Sequence, residues 1–190
     1  MSKQTQYTIK LTTYDRQRAE KFATARCGED QSLYHKRGGF KREDVLCGAL
    51  GEIAAYKLLR ENDFKVNKPD FTIHEKGRKS YAADLQDGKR HFHVKAQTLS
   101  SEEKYGSSWL LQRKDKLLTK EQKSHYVIPC TVNMDTNEVT IFCVANIETV
   151  KKNDMIGECK LLWFRRDKVA LYWDDIRKLS YNSRWSVLKR

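Results

Sequence analysis

The stretch EDVLCGALGEIAAYKLLRE, residues 43 to 61, constrains the fold most. Val45, Ala49, Tyr56 and Leu59 recur at helical spacing, with Leu46, Leu50 and Ile53 beside them, so the stretch predicts an amphipathic helix whose apolar face must be covered. Glu43 and Asp44 stand at its start, where the helix dipole favours acids. Glu52 breaks the pattern: it lies three residues after Ala49 and four before Tyr56, inside the apolar stripe. A carboxylate there is costly unless something pairs with it. The plain alternative is a Glu52 at the stripe's edge, reaching water. Gly51 beside it lets another backbone come close.

A second pattern lies in RHFHVKAQ, residues 90 to 97. Phe92, Val94 and Ala96 alternate with His93, Lys95 and Gln97, and successive side chains of a strand point to opposite faces. The apolar trio is expected in a core. The polar trio is either a solvated face or a row lining a site. His91 and His93 share a face and could bind a metal together, although such pairs are usually incidental.

Around these two elements, residues 13 to 26 read as a helix with Arg16, Arg18, Lys21 and Arg26 on it. YHKRGGFKRED follows as a basic loop in which Lys36, Arg37, Lys41 and Arg42 are candidate phosphate contacts. Strands are predicted at 69–74, at 79–86 joined through DGKR to 90–97, and at 107–112. A short helix is predicted near Lys114 to Lys123, then a hairpin of 125–132 and 138–147 across MDTN, then a helix over 147–154. LLWFRRDKVALYWDDIRKL reads as strand, strand, helix, with Asp174 and Asp175 as the helix's first-turn acids. The expected architecture is α/β (α+β), a mixed central sheet flanked by helices, in a single domain spanning 1–190.

The formal net charge of +12, with 33% of residues charged, points to an acidic partner, nucleic acid ahead of a membrane surface. The first ten residues lack an apolar h-region and no long apolar run occurs, so neither a secretory signal nor a membrane span is expected. The five cysteines are scattered without a CxxC or Cys/His cluster, which argues against zinc and fits thiols in a reducing cytoplasm. In SSEEKYGSSWLLQRKD, Tyr105 and Trp109 could stack on bases, and Lys104, Arg113 and Lys114 could meet phosphates; the plainer reading makes Trp109 to Leu111 sheet core.

Three features coincide in order: Glu52 in GALGEIAAYKLL, Asp84 in AADLQ, and His93-Val94-Lys95 one tight hairpin later. This resembles the core of the PD-(D/E)xK nuclease superfamily, the restriction-endonuclease-like fold, over roughly residues 43 to 97. The resemblance implies a divalent metal, Mg²⁺ or Mn²⁺, held by Glu52 and Asp84, with Lys95 acting on the attacking water or the phosphate. The family has an acid where this chain has His93. His93 then ligates the metal itself, or touches water or phosphate while Glu52, Asp84 and the Val94 carbonyl hold the ion, or marks an inactive site. Gln97 adds an oxygen on the same face and completes the catalytic set. Asp70, in a Pro-Asp pair, rivals Asp84, but Pro-Asp is ordinary turn punctuation and Asp84 has the better hairpin register.

The expected function is metal-dependent hydrolysis of phosphodiester bonds in DNA, with RNA second, in the cytoplasm of a bacterium or of a phage-infected host. Sequence preference would have to come from loops or from a homodimer. Two alternatives stand beside it: a catalytically inactive nucleic-acid-binding protein on the same fold, and a basic interaction protein that inhibits another enzyme.

Overall fold

A computed structural model describes residues 6–30, 42–73, 83–185 and 188. The elements in chain order are β1 (Tyr7–Lys10), α1 (Thr13–Asp30), α2 (Arg42–Glu61), β2 (Leu85–Asp87), β3 (Arg90–Thr98), α3 (Leu99–Tyr105), β4 (Ser108–Gln112) and α4 (Lys116–Thr119). They continue with β5 (His125–Asn133), β6 (Glu138–Ile141), β7 (Ala145–Asn146), α5 (Ile147–Lys152), β8 (Ile156–Glu158), a 3-10 turn (Leu162–Phe164), β9 (Lys168–Tyr172), α6 (Trp173–Ile176) and α7 (Tyr181–Arg184). The fold is mixed α+β.

The larger sheet runs β1-β6-β5-β3-β2, with β7 also on β5. Among the described residues, only β3 and β5 pair in parallel, from His91↔His125 to Thr98↔Val132. A smaller antiparallel sheet runs β4-β9-β8. Strand β5 reads as a continuous apolar run because both its faces are covered. Ile128, Cys130 and Val132 join the helices' core, whereas Val127 joins a second core with Trp109, Leu111, Val169 and Leu171 of the smaller sheet. Trp109 reaches across to donate its indole N–H to the Cys130 carbonyl at 2.8 Å. Pro129 lacks a donor, and β6 breaks beside it: residues 142–144 leave the ladder before β7 resumes opposite Tyr126 and Val127.

Helix α2 is the predicted helix and packs on the sheet through Leu46, Leu50, Ile53, Ala54 and Leu58. Its end is closed by Asp63 in the left-handed region (φ 64°) and by Phe64 N–H donating to the Leu59 carbonyl at 3.0 Å. Helix α1 opens on a reciprocal cap. Thr12 N–H donates to Asp15 Oδ2 at 2.9 Å, and Asp15 N–H donates to Thr12 Oγ1 at 3.2 Å. Asp15 also pairs with Lys57 of α2, tying the two helices together.

Several expectations need correction. Residues 69–73 form no strand: Thr72 N–H donates to the Asp70 carboxylate at 2.9 Å, a local turn that replaces a ladder. Residue 74 and residues 79–82 of the predicted strands lie outside the described residues. The predicted first strand of the tail is the 3-10 turn, whereas the second strand and the helix after it form as expected. The strands β1 and β8 were not predicted. Strand β4 forms where expected but belongs to the smaller sheet.

Candidate active site

The site begins with how β3 is bordered. Strand β2 pairs with β3 only from Leu85↔Phe92 to Asp87↔Arg90. From His93 onward, that side of β3 carries no strand among the described residues. Asp84 stands where the pairing stops, and its Oδ2 accepts the Val94 N–H at 2.7 Å. The N–H and C=O of one strand residue point the same way, so the Val94 carbonyl also faces this open side. The side chains of Val94 and Ala96 lie under α2, and a Cβ at Gly51 would stand 2.9 Å from Ala96 Cβ and 3.0 Å from Cys130 Sγ. The missing side chain at Gly51 therefore sets how closely α2 sits on β3, and with it the position of Glu52.

Glu52 is half-buried, and its carboxyl is pushed up to about 8. Burial is the main cause, and the Asp84 charge adds to it; Arg26 opposes the shift, Asp70 reinforces it, and Lys95 opposes it. The structure thus brings Glu52, Asp84 and Lys95 into one electrostatic neighbourhood at the open side of β3. Asp70, ranked second to Asp84 from sequence, joins the same neighbourhood, as does Arg26 of α1. The sequence signal for Asp70 was its Pro-Asp pair. For Arg26 there was none beyond a helix rich in basic residues.

The other polar residues of β3 are placed differently. His93 Nε2 lies 2.8 Å from His125 Nδ1, and the rings stack at a centroid distance of 5.1 Å. Burial lowers the His93 imidazole to about 4, with Lys95 and His125 adding to the effect, so the ring is neutral at pH 7. His91 also stacks on His125, at a centroid distance of 4.5 Å. Gln97 donates to Thr131 Oγ1 at 3.2 Å and accepts the Ser108 N–H at 3.4 Å, bridging β3 to β5 and β4. The row His93-Lys95-Gln97 is therefore a half-buried polar seam, not a solvated face. His93 and Gln97 are engaged with neighbouring strands, not with the carboxylates.

Among the candidate phosphate contacts, Lys36, Arg37 and Lys41 lie outside the described residues. Arg42 opens α2 on the surface and donates to Thr24 Oγ1 at 3.1 Å. Arg113 is committed within the protein: its Nη2 donates to both Glu158 carboxylate oxygens at 2.8 Å and to the Arg165 carbonyl at 2.6 Å. Lys114 is exposed.

A cleft of ≈ 960 Å³ lies between β3 and the smaller sheet, with Lys95, Gln97, Lys104, Tyr105, Lys160 and Trp163 in its lining. Cys47 also lines it, but burial, helped by Asp44 and Glu43, pushes that thiol up to about 12, which removes it as a nucleophile at neutral pH. No helix among the described residues is long and apolar enough to cross a membrane. No family model, no curated protein and no solved structure matches the chain.

Proposed function

We propose that the chain is a metal-dependent endonuclease that hydrolyses phosphodiester bonds in DNA, on a restriction-endonuclease-like core. One observation carries the reading: Asp84 sits on the Val94 amide at the open side of β3, within the charge field that also contains Glu52 and Lys95. The donor set fits a hard cation, because Glu52 on α2 and Asp84 just before β2 offer oxygen ligands from separate parts of the chain. Bound there, Mg²⁺ or Mn²⁺ would supply charge neutralisation and a more acidic water. Asp84 is held in place by the strand's own backbone. Lys95 offers a cation to the phosphodiester or its attacking water, where negative charge grows as the bond breaks. The net charge of +12 draws the polyanion in.

A second reading, a nucleic-acid-binding protein without turnover, is favoured by one feature: the residue at the family's second acid position, His93, is joined to His125. Nicking of supercoiled plasmid and of single-stranded circular DNA separates the two. Wild type, Asp84→Ala and Lys95→Ala are compared in EDTA, Mg²⁺ and Mn²⁺. The nuclease cleaves only with metal, and both variants abolish cleavage. Salt-dependent DNA binding with no cleavage in any buffer would transfer the assignment to the binding protein.

A further inference from the structure

Beside the carboxylates, the cleft between β3 and the smaller sheet has a composition that the hydrolytic site does not use. Trp163 is 70% exposed and Leu162 69% exposed on the 3-10 turn, and Tyr105 is 39% exposed at the end of α3. Trp163 and Tyr105 line the cleft, as do Lys95, Lys104, Lys160 and Lys168. The lysines are held on ring faces: Lys104 Nζ lies 5.2 Å from the Tyr105 centroid, Lys160 Nζ 5.0 Å from Tyr172, and Lys168 Nζ 4.6 Å from Phe164. Among the described residues, no ion pair occupies Lys104, Lys160 or Lys168. Asp44 is the one carboxylate in the described lining.

We infer that this cleft binds an unpaired DNA strand, with Trp163 as a stacking platform for a base and Lys104, Lys160 and Lys168 meeting its phosphates. An indole left in water is costly unless a partner covers it, and ammonium groups without counter-ions call for an anion. Single-stranded nucleic acid presents both at once: flat apolar bases, and a phosphate with each. A duplex presents the phosphates but keeps its base faces stacked inside, so it cannot use the indole. Lys95 lines the cleft and Val94, whose N–H Asp84 accepts, lines it too, so the cleft borders the Asp84 end of the candidate site. As a statement about the substrate of that site, the inference rests on the nuclease reading; as a statement about binding, it stands apart from turnover.

The test is fluorescence anisotropy in EDTA, which removes hydrolysis from the readout. A labelled, unstructured single-stranded oligonucleotide and its duplex are titrated with wild type, Trp163→Ala, Trp163→Phe and Asp84→Asn. Wild type should prefer the single strand. Trp163→Ala should weaken single-strand binding by at least ~5-fold, the loss of one stacked base, and leave duplex binding within about 2-fold. Trp163→Phe should recover most of the affinity. Because Trp163 is exposed, a thermal melt of Trp163→Ala should match wild type, which keeps folding out of the comparison. Equal binding of single strand and duplex by wild type, or a Trp163→Ala indistinguishable from it, overturns the inference. So does displacement by polyglutamate as effective as by oligonucleotide at equal charge, which would assign the cleft to an acidic protein, or a wild-type dimer that Trp163→Ala dissociates. Asp84→Asn tells the two claims apart: it should keep single-strand binding while losing cleavage. Absence of cleavage in wild type, with the Trp163 effect intact, removes the nuclease reading alone.

Discussion

The open side of β3 and its seam with β5 use polar residues in opposite ways. On the open side, burial and then the charges of Asp84 and Asp70 make ionisation of Glu52 harder. In the seam, His93 meets His125, and Gln97 has a partner at each end of its amide. Satisfied polar groups stabilise and position; crowded like charges are tolerated where a ligand is to relieve them. Alternation along one strand therefore does not define one site. Lys95 connects the two, since its charge acts on both Glu52 and His93.

The largest expected effect tests this division directly. Glu52→Gln and Asp84→Asn should each lower metal-dependent cleavage by roughly 10²–10³-fold or more, the scale seen when a charge-stabilising group is removed from a reacting centre. His93→Gln and Gln97→Ala should stay within about 10-fold of wild type, because neither side chain faces the carboxylates. Cleavage kinetics on one plasmid substrate rank all four. If His93→Gln is as damaging as Glu52→Gln, the seam is part of the reacting centre and the division fails.

A smaller effect is read from stability against pH. Glu52 keeps its proton up to about 8 in the folded protein, against an ordinary value of 4.5. Between those values the folded state binds more protons than the unfolded state, so stability falls as pH rises through the window. The effect is on the order of 2–4 kcal/mol after allowing for partial exposure. Glu52→Gln should flatten the fall between pH 5 and 9 in metal-free buffer. In wild type, the rise in Tm produced by Mg²⁺ or Mn²⁺ should grow up to about pH 8, because a cation must displace that proton. A metal-induced rise that is the same at pH 6 and pH 8.5 would show that Glu52 does not hold the ion.

The seam gives the opposite slope. His93 resists protonation down to about 4, against 6.5 when unfolded, so stability is present above 6.5 and is lost as pH falls toward 4. Burial and His91 lower His125 as well, so the histidines act together. His93→Gln should shallow the acid limb of a Tm–pH curve by about 2 kcal/mol across that window, while leaving the Glu52 limb unchanged. An unaltered acid limb would place the titration elsewhere.

Much of this was legible because it rests on periodicity. The stripe of 43–61 with Glu52 inside it became α2, and 125–132 with 138–141 became a hairpin. Asp84 and Lys95 stood out as an acid and a lysine across a tight turn. The misses have physical causes. Strand β1 is four residues with only Ile9 buried, too short for a period to register. The sequence LLWF reads as a strand, yet it forms a 3-10 turn with Leu162 and Trp163 facing water, which only tertiary structure can decide. No local pattern says which sheet a strand joins, so the smaller sheet, and the cleft it forms with β3, could not be read in advance.

Gly51→Ala is the smallest change and the one that joins packing to the site. The added methyl would stand 2.9 Å from Ala96 Cβ and 3.0 Å from Cys130 Sγ, neither at the end of a flexible chain. Overpacking of this kind costs about 1–3 kcal/mol, and the better helix propensity of alanine returns roughly 1. A net destabilisation of up to about 2 kcal/mol is expected by urea melting. The relief available is for α2 to lift from β3, which carries Glu52 away from Asp84. Cleavage should therefore fall by more than the population of folded protein does. Shrinking the partner tests the cause: Gly51→Ala combined with Ala96→Gly should recover cleavage even where strand glycine keeps stability low. If the pair recovers neither, the contact with Cys130 governs the spacing, and Cys130→Ala becomes the change that restores the distance between the two carboxylates.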